Sequence, residues 1–121
     1  MLFSVIFSSN SLADWKFIFD NNQLYHFIDF ARAKVIDGHV YFWSLTDRDK
    51  PTTMGDYSTT QYIQVDCKFF KYKILNTTFY KHHMALGKPS WTSKKPDESW
   101  SFPPPKSSRE KMLIEACKFN K

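Results

Sequence analysis

The chain carries two short, mostly apolar runs near its N-terminal end. Residues 15–19 and 24–28 are rich in aromatic and β-branched side chains, and the connecting residues 20–23 are polar. Two such runs joined by a short polar segment are typical of antiparallel strands. We therefore predict a β-hairpin over residues 15–28.

A second turn and strand follow the hairpin. Asp37 and Gly38 indicate a tight turn, and the aromatic and β-branched residues of 39–45 favour a strand. Alternate residues of a strand share a face, so three large side chains should lie together: Tyr41, Trp43 and Leu45. Residues 46–57 are polar and broken by proline and glycine, and we expect a loop there.

Residues 58–83 continue the β-rich pattern, but its phase changes part of the way along. Before the change, four residues share one face: Ile63, Val65, Cys67 and Phe69. After it, three residues do so in the opposite phase: Phe70, Tyr72 and Ile74. The change predicts a bulge near 68–70 and places Cys67 towards the core. Residues 77–80 are interpreted as a further strand.

Five of the six prolines fall within residues 87–105. This density predicts a long loop, which Trp91 and Trp100 could hold against the domain. Too little chain follows for the loop to be a linker between domains.

The C-terminal segment has the strongest helical signature. Ser107 and Glu110 have the spacing of a capping box, directly after three consecutive prolines. Four apolar residues then form a stripe: Met112, Leu113, Ala116 and Cys117. The spacing predicts a helix from about Ser108 to Phe119. Together with the strands, it predicts an α+β fold, an antiparallel sheet of about five or six strands with one C-terminal helix packed on it.

Composition and charge narrow the range of functions. The 121 residues fit one domain, and 17 Lys and Arg against 12 Asp and Glu give a net charge of +5, which is compatible with acidic partners. Most of the positively charged residues are lysines. Lysine recognises phosphates and nucleic-acid bases less specifically than arginine, whose planar guanidinium can donate two parallel hydrogen bonds. Three glycines are too few for a glycine-rich phosphate loop. No spacing marks a catalytic site, and we expect neither an enzyme, nor a cofactor, nor a metal site.

The first residues predict an export signal. An apolar run over 2–7 precedes small polar residues, and Ser11 and Ala13 are the small residues that signal peptidase requires before its cut. We predict a signal peptide over 1–13 and a single domain over 14–121, exported to the periplasm or the cell surface. The positively charged residues that usually begin a signal peptide are missing here. Their absence is compatible with a true start codon further upstream. The alternative is a first core strand in this segment.

No run of the sequence approaches the roughly 18 apolar residues of a membrane span. We therefore expect no transmembrane segment.

Export gives the two cysteines a role. Because an oxidising compartment favours disulfides, we predict a bond between Cys67 and Cys117. The bond would close a loop of 117 − 67 = 50 residues and contribute about 4 kcal/mol in the chain-entropy model. Two free thiols are the alternative in a cytosolic protein. A zinc site would also need two of the four histidines, whose spacing gives it no support.

A basic and aromatic run supplies the candidate binding surface. Residues 68–73 interleave lysines with Phe and Tyr, which also fits an ordinary half-buried strand with lysines in solvent. Four lysines are the candidate partner-binding residues: Lys68, Lys71, Lys73 and Lys81. An acidic protein or polysaccharide is the expected partner, and nucleic acid is not, because export separates the chain from it. Trp91 and Trp100 are the candidates for an aromatic pocket.

The order of these features resembles that of the bacterial surface-adhesin protein E family. The resemblance covers about Asp14 to Phe119 and is carried by these residues: Trp43-Ser44-Leu45, Asp47, Pro51, Tyr57-Ser58, Asp66-Cys67, Trp100, Pro103-Pro104-Pro105 and Cys117. It implies an antiparallel sheet closed by a C-terminal helix and a helix-to-strand disulfide. For the best-known members it also implies lipoprotein anchoring, dimerisation and adhesion to host extracellular proteins such as vitronectin and laminin. This chain lacks the anchoring cysteine.

These observations favour a small exported envelope protein that is adhesin-like and binds another protein or an acidic surface, as a homodimer if it follows the family. A periplasmic structural or small-ligand-binding domain with no adhesive role is the alternative.

Overall fold

The computed structural model describes residues 13–120 and contains one antiparallel sheet of six strands in sequence order. The strands are β1 (Lys16–Asn21), β2 (Leu24–Ile36), β3 (His39–Arg48), β4 (Ser58–Asp66), β5 (Lys71–Tyr80) and β6 (Pro89–Ser93). A 3₁₀ turn at His83–Ala85 separates β5 from β6, and helix α1 (Ser108–Cys117) ends in a second 3₁₀ turn at Lys118–Asn120. The predicted α+β fold, with a C-terminal helix on an antiparallel sheet, is confirmed.

The predicted signal peptide, and the alternative first strand within it, fall on residues 1–12 and lie outside the described residues, apart from Ala13. Within 13–120, no helix has both the length and the apolar character needed to cross a membrane.

Helix α1 covers one face of the sheet, which we call the helix face. The core on this face is formed by fully buried aliphatic and aromatic side chains of β2, β3 and β4: Ile28, Val40, Phe42, Ile63 and Val65. Helix α1 contributes Met112, Leu113 and Ala116 from its inward stripe. The apolar stripe predicted from the sequence is therefore the packed side of the helix.

The start of α1 is fixed by the predicted capping residues. The Ser107 hydroxyl accepts a hydrogen bond from the Glu110 backbone N–H at 3.1 Å. The Glu110 carboxylate accepts from the Lys106 backbone N–H at 2.8 Å, one residue earlier than in a standard capping box. In the first turn of the helix, Arg109 donates to the side-chain oxygen of Gln61 at 2.8 Å and so ties α1 to β4.

A disulfide joins Cys67 to Cys117, with 5.8 Å between the two Cα atoms. It connects the end of α1 to the turn that follows β4, as predicted. The predicted bulge is wrong, because the chain reverses here through a four-residue turn between two strands. Phe70 takes a positive φ of 55° in this turn, and Phe69, predicted to face the core with Cys67, is 61% exposed.

Three further boundaries differ from the sequence prediction. Residues 77–80 are not a separate strand, because β5 runs without a break from Lys71 to Tyr80. The first residues of the expected loop over 46–57 extend β3 to Arg48. The proline-rich stretch over 87–105 contains β6, and its later part lies along β5, where Ser101 pairs with Tyr72. Backbone hydrogen bonds to β5 therefore hold a segment that looked like a loop.

Candidate binding surface

The sheet face opposite α1, which we call the open face, carries a row of aromatic side chains. Tyr41 and Trp43 of β3 flank Tyr62 of β4, with ring centroids 6.2 Å and 4.8 Å from the Tyr62 ring. All three residues are partly exposed. Burial, with a smaller contribution from Tyr41, raises the pKa of Tyr62 above its usual value, so its hydroxyl is a hydrogen-bond donor at neutral pH.

One end of this row leads to a cluster of lysines around Trp100, which we call the lysine–tryptophan patch. The ammonium groups of Lys71 and Lys73 each lie 4.9 Å from the centroid of the Trp100 ring. His39 meets the same ring edge-on at 5.3 Å. Residues 71 and 73 share the open face because they are two apart on β5, and pairing of Ser101 with Tyr72 brings Trp100 beside them.

The turn after β4 extends the patch. Lys68 and Lys71 place their ammonium groups 5.4 Å and 5.5 Å from the exposed ring of Phe69. Asp66 shapes this turn, because its carboxylate accepts hydrogen bonds from the backbone N–H groups of Lys68 and Phe69. Within the described part of the chain, Lys68, Lys71 and Lys73 form no ion pair with an acidic side chain. Their positive charge is therefore not neutralised by the protein itself.

Lys81, the fourth candidate lysine, does not belong to this patch. It lies at the far end of β5, where its ammonium group is 3.3 Å from Asp56 and donates to the Met54 carbonyl at 2.6 Å. A hydrogen bond from Ser90, with further help from Lys81, lowers the pKa of Asp56 and keeps the pair charged. Three of the four candidate lysines therefore lie together, and Lys81 lies elsewhere, paired with Asp56.

The two candidate tryptophans do not share a pocket either. Trp91 packs against Phe79, with ring centroids 5.6 Å apart, whereas Trp100 lies next to Tyr72. Seven residues of β5 separate these positions, a distance of about 20 Å along a strand. Trp91 instead lines a cleft of about 520 Å³ that also includes Lys81 and Met54. Both tryptophans are predicted to share one pocket because they lie in the same proline-rich stretch of the sequence.

A second cleft, of about 450 Å³, opens at the other end of the aromatic row and is one that the sequence reasoning missed. It is lined by Trp15, Arg32, Trp43, Thr60, Tyr80 and Leu86, among others. These residues come from β2, β3, β4, β5 and the segments before β1 and after the 3₁₀ turn. No motif unites residues so far apart in sequence, and only the paired strands bring them together.

The described residues contain no group of three or more His, Cys, Asp or Glu side chains placed to hold a metal ion. The fold and the surface together define a class: a disulfide-linked α+β domain with one packed sheet face and one aromatic, basic face.

The family model for surface-adhesin protein E matches residues 15–118 of this chain. The match covers most of the 121 residues, and the chain therefore belongs to the surface-adhesin protein E family. A search of curated proteins finds no match. Family membership indicates an adhesin-like surface protein.

Proposed function

We propose that this protein is a small exported envelope protein that binds another protein or an acidic surface through the lysine–tryptophan patch, and that it does not act as an enzyme. One observation carries the proposal: the ammonium groups of Lys71 and Lys73 both lie 4.9 Å from the ring of Trp100. Membership of a surface-adhesin family supports the same role.

The charge of these lysines is available to a partner. Lys81 illustrates the contrast, because its ammonium group is already paired with Asp56. The aromatic ring holds the two lysine side chains in one region of the surface and adds a flat apolar area beside them. A partner that presents carboxylates or sulfates would meet two ordered cations together, and such attraction weakens as salt screens it.

Retention on immobilised dextran sulfate tests this proposal, because that polymer carries sulfates and no carboxylates. The unmodified protein should be retained and should elute as salt is raised. The double variant Lys71→Glu with Lys73→Glu should elute at a much lower salt concentration. A matched control is Lys94→Glu with Lys95→Glu, which makes the same change in net charge at two exposed residues outside the patch.

The comparison of the two variants decides the outcome. Earlier elution of the patch variant alone supports the proposal. Equal elution of both variants would mean that net charge governs retention, and would contradict a specific patch.

We also propose that residues 1–13 are removed during export. The backbone nitrogen of Asp14 lies 3.2 Å from Oδ2 of Asp29, whose side chain has no exposed surface. A cut after Ala13 would turn this nitrogen into a charged ammonium group beside that buried carboxylate. A charged donor stabilises such a carboxylate better than a neutral amide does, which supports the cut at this position.

The non-reduced intact mass of the protein purified from whole cells of a bacterial host tests export, the cut and the disulfide together. We expect the mass of Asp14–Lys121 less two hydrogens. A full-length mass with two free thiols would contradict both export and processing.

Small-ligand binding is the second candidate function, and the cleft beside Trp91 favours it. Met54, Phe79 and Trp91 give this cleft an apolar lining. Trp91 is 59% exposed, so its fluorescence should report a ligand. A screen of small apolar ligands should shift the emission of the unmodified protein and not that of Trp91→Phe; equal shifts in both proteins would contradict a ligand site here.

Homodimerisation, which the family implies, is proposed for this chain as well. The edge strand β1 supports it, because Phe17 on this strand is 56% exposed. Light scattering should then give twice the mass of one chain for the unmodified protein and the single-chain mass for Phe17→Glu. A single-chain mass for both proteins would contradict the dimer.

A further inference from the structure

The 450 Å³ cleft at the far end of the open face, which we call the Arg32 cleft, contains a guanidinium group that lies near two indole rings. The central carbon of the Arg32 guanidinium lies 5.8 Å from the ring centroid of Trp15 and 5.5 Å from that of Trp43. Its Nε donates to Oδ2 of Asp29 at 2.6 Å. These contacts restrain the guanidinium, and its two Nη groups make no hydrogen bond to any residue of 13–120.

Asp29 is the positioning residue for this arginine. It has no exposed surface, and its second oxygen, Oδ1, is buried without a hydrogen-bond partner among the described residues. A buried polar atom without a partner is costly, and native structures contain few of them. Because the Asp29 charge opposes that of Arg32, the pair presents hydrogen-bond donors without a large net charge.

The opposite wall of the cleft is built before any ligand arrives. Met84 and Ala85 in the 3₁₀ turn have positive φ values of 60° and 57°, a backbone conformation unfavourable for residues with a Cβ. Asp47 and Ser58 hold the turn in this conformation, by accepting hydrogen bonds from the Met84 N–H at 3.0 Å and the Ala85 N–H at 2.9 Å. The adjacent Leu86 then lines the cleft.

We propose that the Arg32 cleft binds one carboxylated sugar unit, of the uronic acid class. The Nη groups of Arg32 would take the carboxylate, the indoles of Trp15 and Trp43 would pack against C–H groups of the sugar ring, and the Tyr80 hydroxyl would meet a sugar hydroxyl. The volume lies within the range of about 300–1,000 Å³ typical of small-ligand sites. One arginine, half neutralised by Asp29, suits a singly charged carboxylate better than a multiply charged phosphate.

This inference does not depend on binding by the lysine–tryptophan patch. The Arg32 cleft and the lysine–tryptophan patch lie at opposite ends of the aromatic row and share no residue. Each can therefore fail without the other.

Titration of the ¹⁵N-labelled protein with sodium glucuronate, followed by NMR, tests the proposal. Glucuronate should shift the indole N–H signals of Trp15 and Trp43 with a Kd of about 1 mM, an ordinary affinity for one sugar unit. Glucose lacks the carboxylate and acetate lacks the sugar ring, so each should bind about tenfold more weakly or worse.

Four variants locate the site. Arg32→Gln should weaken glucuronate binding about tenfold. Tyr80→Phe should weaken it by a smaller factor, and this variant keeps the hydrogen bond between Arg32 and the buried Asp29. Lys34→Gln removes a neighbouring exposed cation of β2 and should leave binding unchanged. The Lys71→Glu with Lys73→Glu variant should also bind normally.

Four results would overturn the proposal. They are equal binding of glucuronate and glucose, equal binding of glucuronate and acetate, loss of binding in the Lys71→Glu with Lys73→Glu variant, and no shift at about fifty times the expected Kd. Equal binding of glucose would mean that Arg32 does not recognise the carboxylate. Equal binding of acetate would mean that the indoles do not recognise the sugar ring. Loss of binding in the Lys71→Glu with Lys73→Glu variant would place the site at the lysine–tryptophan patch.

Discussion

The two faces of the sheet are made from the same strands and yet differ in almost every property. On the helix face, Phe42 and Ile63 have no exposed surface and pack under α1. On the open face, their immediate neighbours Trp43 and Tyr62 are partly exposed, and the centroids of their rings lie 4.8 Å apart. A shift of one residue along a strand therefore separates a packed core from a surface that is aromatic and basic.

This difference indicates that alternate residues of one β-strand contribute to the stability of the fold and to the binding surface. Substitutions in the core of the helix face should lower the free energy of unfolding, and those of partly exposed residues on the open face should change binding with less loss of stability. The predictions that follow test this separation, from the largest expected effect on stability to the smallest.

Neighbouring aromatic residues on β3 give the first test. Phe42→Ala leaves a cavity in the core and should lower the free energy of unfolding by about 4 kcal/mol. Trp43→Ala should cost less than half as much, because its side chain is partly exposed. Urea unfolding of the two variants measures both values. Equal losses would contradict the separation of the faces.

The disulfide is the second test, since it fastens the helix face to α1. The double variant Cys67→Ser with Cys117→Ser should lose about 4 kcal/mol or somewhat less, because the unfolded chain regains the freedom of a loop spanning 50 residues. The unmodified protein under reducing conditions is the matched control and should lose a similar amount. No change in either would contradict a structural role for the bond.

His26 makes the helix face sensitive to acid. Burial, with smaller contributions from Arg109 and Arg48, lowers its pKa to about 4 from 6.5. The neutral ring bonds to Asn21 and Thr46 at 3.2 Å each. Because the unfolded state takes up a proton first as pH falls, stability should be full above about pH 6.5 and decline towards pH 4, by about 3 kcal/mol in total.

Urea unfolding at pH 7 and pH 4 measures this loss, with His26→Gln as the comparison. The variant should be less stable at pH 7 and should lose about 3 kcal/mol less than the unmodified protein between the two pH values. Equal pH dependence of both proteins would show that His26 does not titrate with folding.

Substitutions in the lysine–tryptophan patch should have the smallest effect on the free energy of unfolding. Lys71→Glu with Lys73→Glu removes contacts of partly exposed side chains with Trp100 and should change the free energy of unfolding by no more than about 0.5–1 kcal/mol, while weakening binding to dextran sulfate. Thermal or urea unfolding measures the first quantity. A large loss of stability would mean that these lysines hold the fold together.

Much of the fold could be predicted because local signals agreed with the tertiary structure. The Asp37-Gly38 turn, the alternation in β3 and the Ser107 cap each act over a few residues, and the structure contains all three. The turn after β4 was misjudged because Phe70 takes a left-handed conformation, for which sequence patterns expect glycine or asparagine. Strand β6 was missed because its pairing with β5 comes from tertiary contacts, in a segment where prolines argue against strands.

The candidate sites were predictable only where their residues are neighbours in sequence. Lys68, Lys71 and Lys73 stand in one short run and do form one patch, whereas Lys81 is removed from it by the length of β5. The Arg32 cleft could not be found from the sequence, because strand pairing across the sheet brings its residues together.

The central claim is that the open face is the binding surface, with the lysine–tryptophan patch as its contact. Chemical-shift mapping of the ¹⁵N-labelled protein with a short sulfated oligosaccharide tests it most directly. We predict that shifts concentrate at Lys68, Lys71, Lys73 and the indole N–H of Trp100, and are absent from residues of α1 that face solvent. Shifts centred on α1 or spread evenly over the surface would contradict the claim.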